Sequence, residues 1–99
     1  MKVATRFFET MGYQVIVSGK GTANGPDLHI VKDNLVLRVE VKKARRCKRS
    51  MAVHPVEPAR RNDDMVAVEF PSGYVLIEPM KDYLSCCAKN GSRSFFGIY

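Results

Sequence analysis

The residues best suited to chemistry sit where a core strand would least want them. The segment PDLHIVKDNLVLRVEVK, residues 26–42, is mostly Leu, Ile and Val, yet it carries Asp27, Glu40 and Lys42. Two carboxylates brought together repel, and a divalent cation between them turns that cost into a gain. Mg²⁺ takes oxygen ligands in near-octahedral geometry, one or two of them protein carboxylates, with waters and phosphate oxygens completing the shell. A lysine beside such a pair can orient or deprotonate a water, or neutralise charge developing on a phosphate.

Whether these residues meet depends on how the segment pairs. Asp33-Asn34 lies at its middle, and Asx residues tolerate the positive φ of a type I′ turn. With that two-residue turn, Lys32 opposes Leu35, Val31 opposes Val36, Ile30 opposes Leu37, His29 opposes Arg38 and Leu28 opposes Val39. Asp27 then falls opposite Glu40. Side chains alternate between the faces of a strand. Leu28, Ile30, Leu37, Val39 and Val41 therefore share one face, and Asp27, His29, Arg38, Glu40 and Lys42 share the other. Opposed residues have Cβ atoms about 4.5–5.5 Å apart, within reach of one bound cation. The same pattern also suits an ordinary amphipathic hairpin in which Arg38 and Lys42 bridge the acids.

The surrounding elements must hold this hairpin. Residues 2–11 read as a helix, with Val3, Ala4, Phe7, Phe8 and Met11 on one apolar face. Gly12 would end it, and YQVIV, 13–17, reads as a first strand. SGKGTANG, 18–25, is a glycine-rich loop without the frame of a phosphate-binding P-loop. MVAVEF and YVLIE, joined through PSG, read as a second hairpin. PMKDYLSCCAK reads as a final helix, followed by the apolar tail SRSFFGIY, 92–99. Residues 43–62 are expected to form a basic connector, a loop with at most a short helix from about Glu57 to Asn62. The order predicts a single α/β domain over residues 1–99, with a five-stranded sheet and helices packed on it.

Charge is distributed unevenly. The net charge is +6, but Lys42–Arg61 alone carries eight Lys/Arg against one Glu, which leaves the remainder slightly negative. A basic patch on a near-neutral domain points to a polyanionic partner; a solvated loop is the plainer alternative. No amphipathic basic helix or long apolar run speaks for a membrane. Cys47, Cys86 and Cys87 show no metal-binding spacing and are expected to be free thiols in a reducing compartment. A cytoplasmic location is the expectation.

Pro26-Asp27, then Glu40-Val41-Lys42 after twelve intervening residues, resembles the PD-(D/E)xK nuclease signature. The leading helix, the Gly12-Tyr13 entry to the first strand and the glycine-rich loop are similar to those of archaeal Holliday-junction resolvases and of small phage and intron-associated members. The resemblance implies a restriction-endonuclease-like fold, an α-β-β-β-α-β core whose mixed central sheet is flanked by helices. It also implies Mg²⁺, with Mn²⁺ as a substitute, held by Asp27, Glu40 and the Val41 carbonyl, while Lys42 assists the attacking water. Many relatives add a Glu from the first helix; Glu9 is the only candidate, and it lies away from that helix's apolar stripe. Others place Gln or Lys on the helix after the third strand, where this chain offers Glu57, Arg60 and Arg61 with no clear equivalent.

The activity expected is hydrolysis of phosphodiester bonds in DNA, with RNA as the less favoured substrate. Lys20, Lys43, Arg45, Arg46, Lys48, Arg49, Arg60 and Arg61 would grip flanking phosphates. Ser18 and His29 are weaker candidates for substrate contact. One domain offers little area for reading sequence, which points to a homodimer or higher homo-oligomer, with Phe95-Phe96 as the interface, or to cutting of branched or junction DNA. Two other classes fit the residues: a nucleic-acid-binding module with a degenerate nuclease fold, and a basic ribosome- or RNA-associated protein.

Overall fold

The computed structural model describes residues 2–17 and 27–96. Helix α1, Lys2–Thr10, leads into strands β1 (Gln14–Val17), β2 (Leu28–Lys32) and β3 (Leu35–Lys43). Two short strands follow, β4 (Arg45–Cys47) and β5 (Ser50–Val53), then a 3₁₀ turn over Pro58–Arg60. Strands β6 (Met65–Glu69) and β7 (Val75–Pro79), helix α2 (Met80–Ser85) and strand β8 (Arg93–Phe95) follow among the described residues.

The main sheet has the order β1-β2-β3-β6-β7. Only β3 and β6 run parallel; the other neighbours are antiparallel, so the sheet is mixed. The β2–β3 hairpin turns at Asp33 and Asn34, both with positive φ (51° and 67°), as a two-residue primed turn requires. Its register is the one the apolar pattern dictates, from Lys32 opposite Leu35 to Leu28 opposite Val39. A one-residue slip would have put Asp27's face into the core.

Helix α1 ends as its sequence predicts. Gly12 has φ +93°, its N–H donates to the Glu9 carbonyl, and the Tyr13 N–H reaches back to the Phe8 carbonyl. The Phe8 and Tyr13 rings meet edge to face across this Schellman cap. The helix buries less than its stripe suggested. Ala4 and Phe8 are enclosed, whereas Val3, Phe7 and Met11 remain more than one-third exposed.

Two apolar clusters lie on opposite faces of the main sheet. One gathers Ala4 and Phe8 of α1 with Leu28, Ile30, Val39, Ala67 and Val75. The other gathers Val66, Val68 and Phe70 with Met51, Val53, Val56, Met80, Tyr83 and Phe95. Alternation along β6 explains the division: Val66 and Val68 face one way and Ala67 the other.

The expected connector and tail are corrected by this second cluster. Residues 45–53 form a hairpin with Lys48 in the left-handed region (φ 55°). Strand β8, from the tail, pairs with β5 to make a three-stranded sheet in the order β4-β5-β8. Thus a β-ribbon and one 3₁₀ turn stand between β3 and β6, where the α-β-β-β-α-β order has a helix. Phe95 is 7% exposed and packs against Phe70 within the domain, while Phe96 is 74% exposed. The final helix stops at Ser85, short of the expected residues 79–89. Cys47, Cys86 and Cys87 are free, and no helix of the described residues is long and apolar enough to cross a membrane.

Candidate functional site

The β2–β3 ladder ends at the Leu28–Val39 pair, and the next position is taken over by a side chain. Asp27 Oδ2 accepts the Val41 N–H at 2.9 Å, in the place where a further residue of β2 would have bonded. In an extended strand, the N–H and C=O of one residue point to the same edge. The Val41 carbonyl is therefore directed towards the edge that Asp27 closes.

Glu40 lies on the sheet face opposite α1 and is only 3% exposed. Its parallel neighbour is Val66, part of the second apolar cluster, so that cluster's edge shields it from water. A buried carboxylate needs a counter-charge, and this one has a guanidinium. Arg60 Nη1 stands 3.2 Å from Glu40 Oε1 and 3.2 Å from Asp27 Oδ1. Arg60 comes from the 3₁₀ turn, whose Pro58 fixes the backbone at its start. Its amide donates to the Glu57 carbonyl, and its side chain is 14% exposed.

The two acids respond oppositely. Burial, the hydrogen-bonding contact with Asp27 and repulsion from it push the Glu40 carboxyl up to about 8, although Arg60 and Lys42 oppose the rise. Burial also works to raise Asp27, but its contact with Glu40, the Val41 N–H and the Arg60 charge outweigh it and hold its carboxyl below the ordinary value. Burial disfavours the charge on Arg60, yet Glu40 and Asp27 more than compensate and raise its pKa.

Lys42 follows Glu40 by two residues on β3, so it occupies the same face, half-buried, and its charge is felt at Glu40. Arg38, which could have bridged the acids, turns elsewhere: its guanidinium donates to the Asn62 carbonyl and lies 3.6 Å from Asp64. His29 pairs with Arg38 on this same face of the sheet.

Other expected residues do not converge. Glu9 is exposed on α1, which packs on the sheet's other face. Lys43 ends β3 on the surface, Arg45 and Arg46 are exposed on β4, and Lys48 and Arg49 form the ribbon's turn. Arg61 is exposed and donates through Nε to the Val56 carbonyl. Ser18 and Lys20 lie outside the described residues. Arg60, expected among the phosphate-gripping residues, lies between the two acids.

Two buried acids went unnoticed in the sequence. Glu69 Oε2 accepts the Ala4 N–H at 2.8 Å, satisfying an orphan amide at the start of α1. Asp63 is 7% exposed, and its Oδ2 is buried without a hydrogen-bond partner among the described residues. Burial raises the Asp63 pKa, against the pull of Arg38 and Arg60. Asp63 stands in a short polar run and Glu69 at the end of the apolar strand β6; the Glu69 partner, Ala4, lies on a distant element.

The whole fold has a counterpart among solved structures. It is similar to I-Ssp6803I, described as a bacterial homing endonuclease, with a TM-score of 0.80. The likeness covers 99% of this chain and 70% of that one, at 15% sequence identity. No family model matches the sequence, and no curated protein matches it. At that identity the likeness establishes a shared fold: a mixed α/β architecture of the kind found in that endonuclease.

Proposed function

We propose that this protein is a metal-dependent endonuclease that hydrolyses phosphodiester bonds in DNA. The observation that carries the reading is the convergence of Asp27 Oδ1 and Glu40 Oε1 on a single cationic nitrogen, 3.2 Å from each. Two acid oxygens already arranged around one positive charge fit a divalent cation, and the Val41 carbonyl points to the same edge. The fold shared with a bacterial homing endonuclease supports DNA as the substrate.

Mg²⁺, or Mn²⁺ in its place, would supply Lewis-acid charge at the scissile phosphate and lower the pKa of a bound water. Asp27 and Glu40 would hold it, each fixed by its surroundings: Asp27 by the Val41 amide, Glu40 by the apolar cluster behind it. Lys42, on Glu40's face, would orient the attacking water and offset charge developing on the phosphate. Lys20, Lys43, Arg45, Arg46, Lys48, Arg49 and Arg61 would bind phosphates away from the cut, with His29 and Ser18 as further contacts. A homo-oligomer acting on branched or junction DNA would make up for the small reading surface of one domain.

A second reading has its own observation. Arg60 neutralises the acid pair, and a protein that keeps it there permanently would bind nucleic acid without cutting it. Cleavage of supercoiled and branched DNA with Mg²⁺ or Mn²⁺ separates the two. The wild type should cut, and Asp27→Ala or Glu40→Ala should lower the rate by about 10²–10³-fold or more while leaving DNA binding in place. Wild type that binds without cutting would favour the second reading. Asp27→Ala that cuts as well as wild type would remove the enzyme claim.

A further inference from the structure

The acid pair already has a cation, and that cation belongs to the chain. Arg60 Nη1 engages Asp27 Oδ1 and Glu40 Oε1, while the second Asp27 oxygen is occupied by the Val41 amide. A metal ligated by Asp27 Oδ1 and Glu40 Oε1, at about 2.0–2.1 Å for Mg²⁺, would take the position that Arg60 Nη1 now holds. A guanidinium nitrogen cannot keep hydrogen-bond distance to both oxygens while a metal sits between them. On these two oxygens the two cations compete, by geometry and by charge.

We infer that Arg60 is the resting counter-ion of this site, and that a divalent cation enters by displacing it. The inference rests on reading Asp27 and Glu40 as metal ligands. Without a counter-charge, two adjoining carboxylates, one of them buried, would repel and strain the end of the β2–β3 ladder. Arg60 keeps them together before metal arrives. It reaches the pair from the 3₁₀ turn, not from either strand, so its side chain can leave without moving β2 or β3. Two further acids stand near Arg60. Glu57 Oε2 is 4.0 Å from Arg60 Nε at the solvent side, and the buried Asp63 carboxylate feels the Arg60 charge. The released guanidinium is also suited to a substrate phosphate, which it matches with paired N–H donors.

Direct titration with Mn²⁺, read by electron paramagnetic resonance of the free ion, tests the exchange on the full chain. Wild type, Arg60→Ala and Arg60→Gln are compared, with Asp27→Asn as the control that should bind no Mn²⁺ at this site. If Arg60 occupies the pair nine-tenths of the time or more, removing it should tighten Mn²⁺ binding about tenfold or more. The metal-free variants should melt below wild type, and Mn²⁺ should raise their Tm by more than it raises that of wild type. Opposite signs, lower stability without metal and higher metal affinity, are the signature of a displaced counter-ion. Arg60→Gln retains hydrogen-bonding groups and serves if Arg60→Ala fails to fold. Equal or weaker Mn²⁺ binding by the variants, with wild type still cutting DNA, would overturn the exchange alone. No Mn²⁺ bound by wild type or variants, and no cutting, would overturn the metal-site reading together with it.

Discussion

Two hairpins of this protein make opposite use of charge. The β2–β3 hairpin turns at Asp33-Asn34 and gathers acids at its open end, where Glu40 is buried and Asp27 takes over a ladder bond. The β4–β5 ribbon turns at Lys48-Arg49 and leaves Arg45, Arg46, Lys48 and Arg49 in solvent. The first owes its register to its own apolar alternation. The second has little alternation and is held by what packs on it: Met51 and Val53 in the second cluster, and β8 along its edge. One hairpin makes a site by excluding water. The other makes a surface by remaining wet, and the contrast follows from which element supplies the packing.

The largest effect should come from cutting the ribbon's anchor. Phe95 opposes Met51 and packs edge to face on Phe70. Phe95→Ala should cost about 3–5 kcal/mol in chemical denaturation, by the usual loss for a buried phenylalanine. Phe96→Ala, at an exposed position, should cost little; a comparable loss that depends on protein concentration would show Phe96 buried between copies.

Replacing Arg45, Arg46, Lys48 and Arg49 with alanine should weaken DNA binding without changing metal affinity at the acid pair. For every phosphate no longer neutralised, the slope of log K against log salt should fall in magnitude by about 0.9. An unchanged slope would assign phosphate binding to another surface.

The acid hairpin should respond to pH where the ribbon does not. Raised folded-state pKa values favour the protonated form, so the stability that Glu40 contributes is full below its ordinary 4.5 and is lost as pH rises through about 8. Asp27, with a lowered pKa, works in the opposite direction, with stability lost only as pH falls below its ordinary 3.8. Metal-free wild type should therefore lose stability between pH 4.5 and about 8, and Glu40→Gln should flatten that decline. Melting curves across this range check it, and parallel profiles for the two proteins would refute the assignment.

The turns offer the smallest and sharpest comparison. Lys48 holds a positive φ that side chains resist, and Lys48→Gly should stabilise the fold by about 1 kcal/mol. Asn34 tolerates the same region better, so Asn34→Gly should gain about 0.5 kcal/mol or less. Equal gains at the two turns would mean that the ribbon's turn is less strained than its φ implies.

Much of the acid site was legible in the sequence because it is local. With the turn at Asp33-Asn34, pairing Leu28 with Val39 and Ile30 with Leu37 keeps the apolar set together, and it carries Asp27 to the edge of Glu40. The α1 cap and the β6–β7 hairpin were legible for the same reason: Gly12, Gly73 and the apolar runs mark them within a few residues. The ribbon was not, because RRCKRSMAV carries no clear period and becomes strand only when β8, more than forty residues later, pairs with it. Val3, Phe7 and Met11 form a sound helical stripe, yet only Ala4 and Phe8 find a surface to cover them.

Sequence by itself determined the turn at Asp33-Asn34, the register that follows, and hence which charged residues share a face; these rest on periodicity two and on the φ preferences of neighbouring residues. Only the tertiary structure decided what stands among them. Arg60 is 33 positions from Asp27 and 20 from Glu40, within a run of similar basic residues, and nothing local distinguishes it from Arg61. Its place is set by the parallel pairing of β3 with β6, which returns the chain past the site and brings the 3₁₀ turn alongside the acids. A counter-ion is chosen by distance in space, and that distance exists only once the sheet has closed.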